Sequence, residues 1–227
     1  MSDALVVLEH RTLTERVLEQ LMTWVVDGTI RMGEKLNTKA LAQKLNVSRM
    51  PIREAIKDLE TMGLVESVPY VGARLVTLTE EDIREIYIMR KALEPVAAYY
   101  ACVNAAPEAL DKITSIMQKY EYLLRTPGIT ARQVYDGNRL FHFSIFEASN
   151  MDRLYNAIEK LWDSLAFFKL NYGRIYLEDE NARSSALEDH RKYHALLQRR
   201  DARGLFDALN ANLERLVLNM PKFFSEE

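Results

Sequence analysis

The sequence predicts a mainly α-helical protein, in which three helices and a small β-hairpin are followed by an antiparallel all-helical bundle of about six helices. Apolar residues recur at helical spacing along most of the 227 residues. Residues 64–77 depart from this spacing, with two short β-prone runs around a Pro/Gly turn. The length suits two modest domains, which we place at residues 1–78 and 79–227.

The composition is typical of a globular protein, with 48% hydrophobic and 28% charged residues. The single cysteine, Cys102, excludes an intramolecular disulfide framework and fits a reducing interior, so we expect a cytoplasmic protein. The N-terminus has no basic region followed by an apolar run, and no apolar stretch approaches the roughly 20 residues of a membrane helix. We therefore expect neither a signal peptide nor association with a membrane.

The first predicted helix covers residues 12–27 and supports the segment that follows it. Its apolar residues at helical spacing are Leu13, Val17, Leu18, Leu21, Met22 and Val25. Gly28 is suited to end this helix, and Gly33 marks a turn before the next one.

Residues 37–63 predict two short helices joined by a tight turn. Asn37 is a good N-cap for the first of them, and Ser48 is expected to cap the second. The residues of the first helix that we expect to face inward are Ala40, Leu41 and Leu45. In a helix-turn-helix the second helix faces the DNA, so its surface decides what the motif can bind.

The second of these helices is apolar on one face and cationic on another. Its apolar face consists of Ile52, Ala55, Ile56, Leu59 and Met62. Arg49, Arg53 and Lys57 are four residues apart and share a different face. Between Arg31 and Lys57, seven cations stand against two anions in a chain of net charge −3. A charge run alone more often marks a solvated surface, but a cationic face beside a buried one suits duplex phosphates and base edges.

The two β-prone runs, LVESV at residues 64–68 and ARLVT at residues 73–77, predict a hairpin directly after the cationic helix. In that position the hairpin would be a wing, whose tip can lie in the minor groove or against phosphate. A hairpin that only packs against its neighbours is the alternative.

Residues 12–78 resemble the winged helix-turn-helix of the GntR family of bacterial transcription regulators. The resemblance rests on GEKLN (33–37), LAQKLNVSRMPIREAIKDLE (41–60), GLV (63–65) and the wing glycine Gly72. It implies that DNA is contacted by Lys39, Ser48, Arg49, Met50, Arg53, Val71 and Gly72. Met50 and Val71 stand where related members often carry polar residues, so the resemblance does not imply an operator sequence.

From residue 79 onward the pattern is one helix after another. Thr79 is a suitable N-cap, and it is followed by three acidic residues that favour the first turn of a helix. The predicted helices lie near residues 80–104, 107–125, 130–149, 151–172, 180–200 and 202–220.

Polar side chains interrupt the inward faces of four of these helices. Arg90 and Glu94 are four residues apart in an apolar stripe; either they brace each other, or Arg90 faces a cavity and anchors a carboxylate. The other interruptions are Asn138 and His142 on the third helix, His190 and His194 on the fifth, and Asn212 on the last. Polar interruptions on several helices predict a shared polar cavity inside the bundle.

The same region resembles the FCD ligand-binding domain of the FadR subfamily of GntR regulators. The matching segments are MRKALEP (89–95), NRLFHFSIFEASN (138–150) and DHRKYHALLQRRDARG (189–204). With the polar pattern, the resemblance predicts an effector site formed by Arg90, Asn138, His142, His190 and Asn212. In metal-binding members a divalent cation such as zinc or nickel is held at the places of Asn138, His142, His190 and Asn212.

Two of those four metal positions depart from the family pattern. Asn138 replaces the usual carboxylate, and Asn212 replaces a histidine. Neutral amides are poor ligands for zinc-type ions, which prefer imidazole, thiolate or carboxylate. His194, four residues after His190, is the candidate for the missing imidazole. The sequence therefore favours a small organic effector bound without a metal or with a weakly held one.

These observations favour a homodimeric transcription regulator that binds a palindromic operator and responds to a small carboxylate effector. The alternative is a metal-dependent enzyme that uses the helical cavity, with the N-terminal part as an accessory module. That alternative lacks a nucleophile–base pair with motif support and a complete set of metal ligands. A purely architectural protein would have little reason to bury polar groups on four helices.

Overall fold

The computed structural model describes residues 12–166, 168–170, 177 and 179–218. The chain divides into two compact units, Met1–Thr77 and Leu78–Glu227. Each unit buries its own set of apolar residues.

In its described residues, 12–77, the first unit contains three helices and one antiparallel hairpin. The helices are α1 (Leu13–Val26), α2 (Thr38–Leu45) and α3 (Arg49–Thr61), and the strands are β1 (Val65–Val68) and β2 (Gly72–Leu75). Val65 pairs with Leu75 across the hairpin. An isolated bridge from Lys35 to Arg74 holds the segment before α2 alongside β2.

The core of this unit lies where α1, α3 and the hairpin meet. A capping box between Thr12 and Glu15 begins α1, and the buried face of α1 packs against α3. The fully buried residues at this junction are Leu21, Ile52, Leu59, Leu64 and Leu75. Burial of one face of α3 leaves the opposite face exposed to solvent.

The inward face of α2 differs from the sequence prediction at one position. Ala40 is exposed, whereas Ala42 is buried and Leu41 and Leu45 are partly buried. Successive residues of a helix are about 100° apart, so a narrow face containing Leu41, Ala42 and Leu45 leaves Ala40 on the opposite side. The prediction that Ala40 faces inward was therefore wrong.

The second unit is helical throughout its described residues and confirms the predicted fold class. Its helices are α4 (Glu80–Asn104), α5 (Pro107–Leu124), α6 (Ala131–Glu147), α7 (Asp152–Ser164), α8 (Glu180–Gln198) and α9 (Ala202–Leu218). The long helix α4 lies against α9 along much of its length and also contacts α6 and α7, while α5 packs on α6 and α8. None of the described helices is long and apolar enough to cross a membrane.

One predicted helix is interrupted. The sequence indicated a single helix near residues 151–172, but α7 ends at Ser164 and the chain turns at Leu165. Residues 166 and 168–170 are helical again, and the last two positions of the prediction lie outside the described residues. Leu165, Ala166 and Phe168 are all buried, so the apolar periodicity continues across the turn and conceals it in the sequence.

Candidate functional site

The first candidate site is the N-terminal end and exposed face of α3. Ser48 occupies the N-cap position with extended backbone (φ −67°, ψ 166°), but its side chain makes no capping hydrogen bond. Asn37, by contrast, accepts hydrogen bonds from the backbone N–H groups of Lys39 and Ala40 at 3.0 and 3.1 Å. The expectation that the Ser48 side chain caps α3 was therefore wrong, and its hydroxyl is left without that bond.

The cationic face of α3 points into solvent. Arg49, Arg53 and Lys57 are all exposed, and within the described part of the chain none of them forms an ion pair. Glu54, the carboxylate next to Arg53 in the chain, instead accepts a hydrogen bond from the Thr14 hydroxyl at 2.6 Å. The guanidinium groups therefore keep their donors available for an external anion.

Two further predicted contact residues, Lys39 and Met50, are also exposed. Lys39 is exposed in the first turn of α2. Met50, in the first turn of α3, is 64% exposed although it is apolar. An exposed methionine at the start of such a helix can contact an apolar base group such as the thymine methyl.

The wing tip is formed by the turn between β1 and β2. Val71 is 43% exposed, and Gly72 adopts a φ of +97° that favours glycine. Tyr70 has a φ of +64° and a fully exposed side chain. Tyr70 was not among the predicted contact residues, although an aromatic residue inside a Pro/Gly turn is a visible signal.

The second candidate site is a cavity of about 200 Å³ within the helical unit. It is lined by residues of all six described helices of the unit, α4 to α9, and by Lys169 after α7. All five predicted effector residues line it: Arg90, Asn138, His142, His190 and Asn212. Polar residues that interrupt four separate apolar faces are thus brought together at one place.

Arg90 and Glu94 brace each other in the wall of this cavity. The two side chains are almost fully buried, and Arg90 Nε and Nη2 donate to Glu94 Oε1 and Oε2 at 2.5 and 3.3 Å. Trp162 Nε1 donates to the same Oε1 at 2.6 Å. Arg90 Nη1 is buried and has no hydrogen-bond partner among the described residues. The brace between Arg90 and Glu94, the first of the two sequence interpretations, is therefore present, and the anchoring of a carboxylate by Arg90 stays a prediction.

The two cavity histidines face each other, with ring centroids 5.0 Å apart. His190 Nδ1 lies 2.5 Å from the carbonyl oxygen of Ala186, and Nε2 lies 2.9 Å from Oδ1 of Asn138. A neutral imidazole has one N–H, and a backbone carbonyl can only accept, so the proton belongs on Nδ1. Nε2 is then an acceptor, which Asn138 satisfies when its amide NH₂ group is turned toward the ring.

Both histidines are held in the neutral form by their surroundings. Burial lowers the pKa of His142 well below 6.5, and His190, Lys169 and Arg90 lower it further. Burial also lowers the pKa of His190, and its hydrogen bond to Ala186 partly opposes this effect. His142 Nδ1 is buried without a hydrogen-bond partner. The cavity therefore offers an unsatisfied, neutral polar atom to a ligand.

Asn212 is held on the far side of the cavity by α8. Its Nδ2 donates to Asp189 Oδ2 at 2.8 Å, and Arg215 Nη2 contacts the same oxygen at 2.5 Å. Asp189 is thus shared between an amide and a guanidinium, and its charge is compensated within the wall.

His194 lies outside the cavity. Its Nε2 is 2.9 Å from the Thr114 hydroxyl, and Gln198 on the same helix approaches the same nitrogen at 3.4 Å. The suggestion that His194 supplies a missing metal ligand was therefore wrong, because one helical turn along α8 the side chain faces α5 instead of the cavity.

The donor set fits a metal ion poorly. His142 and His190 are good ligands, but Asn138 and Asn212 contribute only neutral amides, and the Asn212 amide is bonded to Asp189. Among the described residues, no group of three or more His, Cys, Asp or Glu side chains is placed to hold a metal.

Lys169 is a cavity residue that the sequence analysis missed. It lines the cavity, and its Nζ lies 2.9 Å from the centroid of the Trp162 ring. Its sequence signal was a lone cation within the largely apolar run that begins at Leu165.

Comparisons with known proteins support the description of both the helix-turn-helix unit and the helical unit. The sequence model of "Bacterial regulatory proteins, gntR family" matches residues 13–75, and that of the FCD domain matches residues 85–215, more than half of the chain. The HTH-type transcriptional regulator McbR of Escherichia coli (strain K12) is 28% identical over 190 residues, or 84% of this chain and 83% of McbR. The uncharacterized HTH-type transcriptional regulator YdhC of Bacillus subtilis (strain 168) is 30% identical over 174 residues, or 76% of this chain and 75% of YdhC.

The fold is also shared with a solved regulator. The structure of E. coli McbR/YncC superposes with a TM-score of 0.66 at 25% identity, covering 92% of this chain and 97% of that one. The predicted enzyme alternative is not supported by any of these relatives, which are regulators. The chain therefore belongs to the GntR family of bacterial regulatory proteins, and it is a transcription regulator with an N-terminal helix-turn-helix for DNA binding and a C-terminal FCD domain.

Proposed function

We propose that the protein is a cytoplasmic homodimer that binds a palindromic operator and whose DNA affinity is set by a small carboxylate effector. In this proposal residues 1–78 contact DNA, and residues 79–227 bind the effector and form the dimer. The observation that carries it is the row of exposed cations on α3, which have no ion-pair partner among the described residues.

The operator contacts follow from the surface of the first unit. Arg49 and Arg53 reach base edges from the N-terminal half of α3, with Met50 between them as an apolar contact. Lys39 and the Ser48 hydroxyl bind phosphates, which position the helix without reading sequence. The wing tip, at Val71 and Gly72, lies in the minor groove or on the backbone.

The effector site is the cavity of the helical unit. Arg90, Asn138, His142, His190 and Asn212 surround a volume suited to a small metabolite. Arg90 Nη1 is a charged donor without a partner, which favours a carboxylate. We propose that the effector binds without a resident zinc or nickel ion, because two imidazoles and two amides make a weak site.

An exposed apolar face of α4 supports the homodimer. Ile88, Tyr99 and Val103 lie on one side of the helix and are 54%, 38% and 56% exposed, with Met89 and Tyr100 beside them. A contiguous apolar surface on a helix favours self-association through a two-fold axis. We expect Val103→Glu to weaken the dimer in sedimentation equilibrium experiments, while an unchanged oligomeric state would place the interface elsewhere.

Control by the effector requires two states of the dimer that differ in DNA affinity. An effector can shift that equilibrium only by its differential affinity for the two states. A nearly complete shift requires a difference in binding free energy of roughly 5 kcal/mol between them. A dimer that must engage two half-sites at once is sensitive to such a shift, because half-site spacing is fixed by the DNA helix.

The test combines DNA binding with effector response. Operator fragments are selected with the wild-type protein, and their affinities are measured for Arg49→Ala, Arg53→Ala and the exposed control Arg84→Ala. We expect each of the first two variants to lose about 1–3 kcal/mol of binding free energy and the control to lose little. Unaltered binding in both Arg49 and Arg53 variants would count against the assignment. A carboxylate that changes wild-type DNA affinity should lose its effect in Arg90→Met.

A further inference from the structure

Lys169 is a cation in the cavity wall that the proposed function does not use. Its Nζ lies over the face of Trp162, 2.9 Å from the ring centroid, and Arg90 Cζ lies 4.6 Å from the same centroid. The two cationic groups are therefore no more than 7.5 Å apart, which is the sum of those distances. Both side chains line the same cavity.

The carboxylates of the wall are already engaged. Glu94 accepts both Arg90 donors and the Trp162 N–H, and Asp189 is shared by Asn212 and Arg215. Within the described residues, Lys169 Nζ forms neither an ion pair nor a hydrogen bond. Its Nζ lies instead over the ring of Trp162, and a contact with an aromatic ring does not neutralise the charge.

The other charged and titratable groups around Lys169 do not neutralise it either. Arg90 and Arg139 are cations, and His142 and His190 are neutral. Burial lowers the pKa of Lys169 well below 10.5, Arg90 lowers it further, and Glu94 opposes this only in part. Among the described residues, the carboxylate that acts on Lys169 is Glu94, which is already bonded to Arg90 and Trp162, so an anion in the cavity would add a counter-charge.

We propose that Lys169 Nζ and Arg90 Nη1 together bind the anionic group of a small carboxylate, so that Lys169 is a selectivity residue of the effector site. This inference rests on the proposed function and deepens it. Arg90 Nη1 is the one guanidinium nitrogen that the brace with Glu94 leaves unpaired. A carboxylate has two oxygens, and it can accept one hydrogen bond from each cation across the gap between them.

The cavity also limits the size of the ligand. Its volume of about 200 Å³ is smaller than the roughly 300–1,000 Å³ of a pocket for a drug-sized ligand. Tyr87, Trp162 and Tyr193 contribute aromatic surface to the wall. The ligand is therefore a short acid that can also contact aromatic side chains.

The experiment compares acids with their neutral amides on the full-length protein. The probes are butyrate, benzoate and succinate, each beside butyramide, benzamide or succinamide, titrated calorimetrically up to about 10 mM to detect Kd values in the millimolar range. The proteins are the wild type, Lys169→Met, Lys169→Arg and the control Lys160→Met, which removes an exposed lysine of α7.

We expect at least one of these acids to bind the wild type at least about tenfold more tightly than its amide. Lys169→Met should remove that preference, Lys169→Arg should retain most of it, and Lys160→Met should leave it unchanged. Lys169→Met should also raise the melting temperature without ligand, because it removes an uncompensated charge, and this shift verifies that the variant folds.

The inference is overturned if acid and amide bind the wild type equally, if Lys169→Met keeps the preference, or if none of the three acids binds. DNA affinity is measured with the same proteins, so that a failure of the inference about Lys169 can be distinguished from a failure of the proposed function. If an acid binds through Lys169 and leaves DNA affinity unchanged, the inference stands and effector control by that acid fails. If an acid changes DNA affinity equally in the wild type and in Lys169→Met, effector control stands and the role of Lys169 is wrong.

Discussion

The arginines of the two units are chemically identical and are used in opposite ways. Arg49 and Arg53 lie in solvent and make no ion pair among the described residues, whereas Arg90 is 3% exposed and bonded to Glu94. Water solvates an exposed guanidinium at little cost, so α3 can hold a row of cations for a polyanion. Burial removes that solvation, and each buried charge then requires a partner.

A charged or polar group without a partner therefore has a different meaning in each unit. On the α3 surface, missing partners are ordinary, and only the arrangement of Arg49, Arg53 and Lys57 on one face indicates DNA. In the cavity, missing partners at Arg90 Nη1 and His142 Nδ1 are exceptional, because buried polar atoms are nearly always satisfied. We therefore interpret these two atoms, which both belong to cavity residues, as the place where the proposed effector binds.

The largest expected effect is on the stability of the helical unit, and it tests the contrast between buried and exposed charges. Glu94→Gln leaves Arg90 buried without a counter-charge, and we expect the free energy of unfolding of the helical unit to fall by about 3–5 kcal/mol. Urea unfolding is followed by Trp162 fluorescence in a Trp24→Phe background, because the chain has one tryptophan in each unit.

The matched control is Glu147→Gln, which removes the same charge from the exposed pair with Lys112 and should cost no more than about 0.5 kcal/mol. The double variant Arg90→Met/Glu94→Leu should recover most of the loss. Equal costs for Glu94→Gln and Glu147→Gln would remove the contrast between buried and exposed charges.

The second effect concerns DNA affinity and its salt dependence. Arg53→Ala should cost about 1–3 kcal/mol and reduce the slope of log K against log salt, because it removes a cation from the surface that faces DNA. Arg90→Met should leave that slope unchanged, because a buried cation does not release counterions from DNA. A slope that changes with Arg90 and not with Arg53 would reverse the roles assigned to the two arginines.

A third effect is the pH dependence of stability. The pKa of His142 is lower in the native protein than in the unfolded chain, so below about pH 6.5 the unfolded chain binds a proton that the native protein does not. The stability contributed by neutral His142 is complete above that pH and is lost as pH falls, at up to about 1.4 kcal/mol per pH unit.

His190 acts in the same direction, so His142→Gln should lower the slope without abolishing it. Urea unfolding at several pH values between about 7 and 5 measures this slope of the free energy of unfolding against pH. An identical slope in the variant would show that His142 is protonated in the native protein over this range.

The smallest effect separates the two N-caps of the DNA-binding motif. Asn37→Ala removes a side chain that accepts two backbone hydrogen bonds, and it should destabilise α2 by about 1 kcal/mol. Ser48→Ala removes no capping bond, so we expect a change of only a few tenths. Hydrogen exchange of the first-turn amides of α2 and α3 measures both, and equal changes would restore Ser48 as a cap.

Local patterns were sufficient for much of the fold. The bounds of α4 were predicted at both ends, residues 80–104, because a capping threonine, a first turn of acids and a following Ala-Ala-Pro segment all act over neighbouring residues. The break at Leu165 was missed because buried residues continue on both sides of it. Ala40 was misplaced because a two-turn helix leaves the direction of its inward face ambiguous by one residue.

The sequence by itself determined the fold class and the cationic face of α3, since periodicity and motif spacing are properties of nearby residues. Together with the family resemblance, it also selected five of the residues that line the cavity. Only the tertiary structure decided how those residues are bonded: that Glu94 occupies two of the Arg90 donors, that His194 faces α5, and that Lys169 joins the cavity. The physical reason is that desolvation and hydrogen bonding depend on side chains from other helices, whose approach no local pattern specifies.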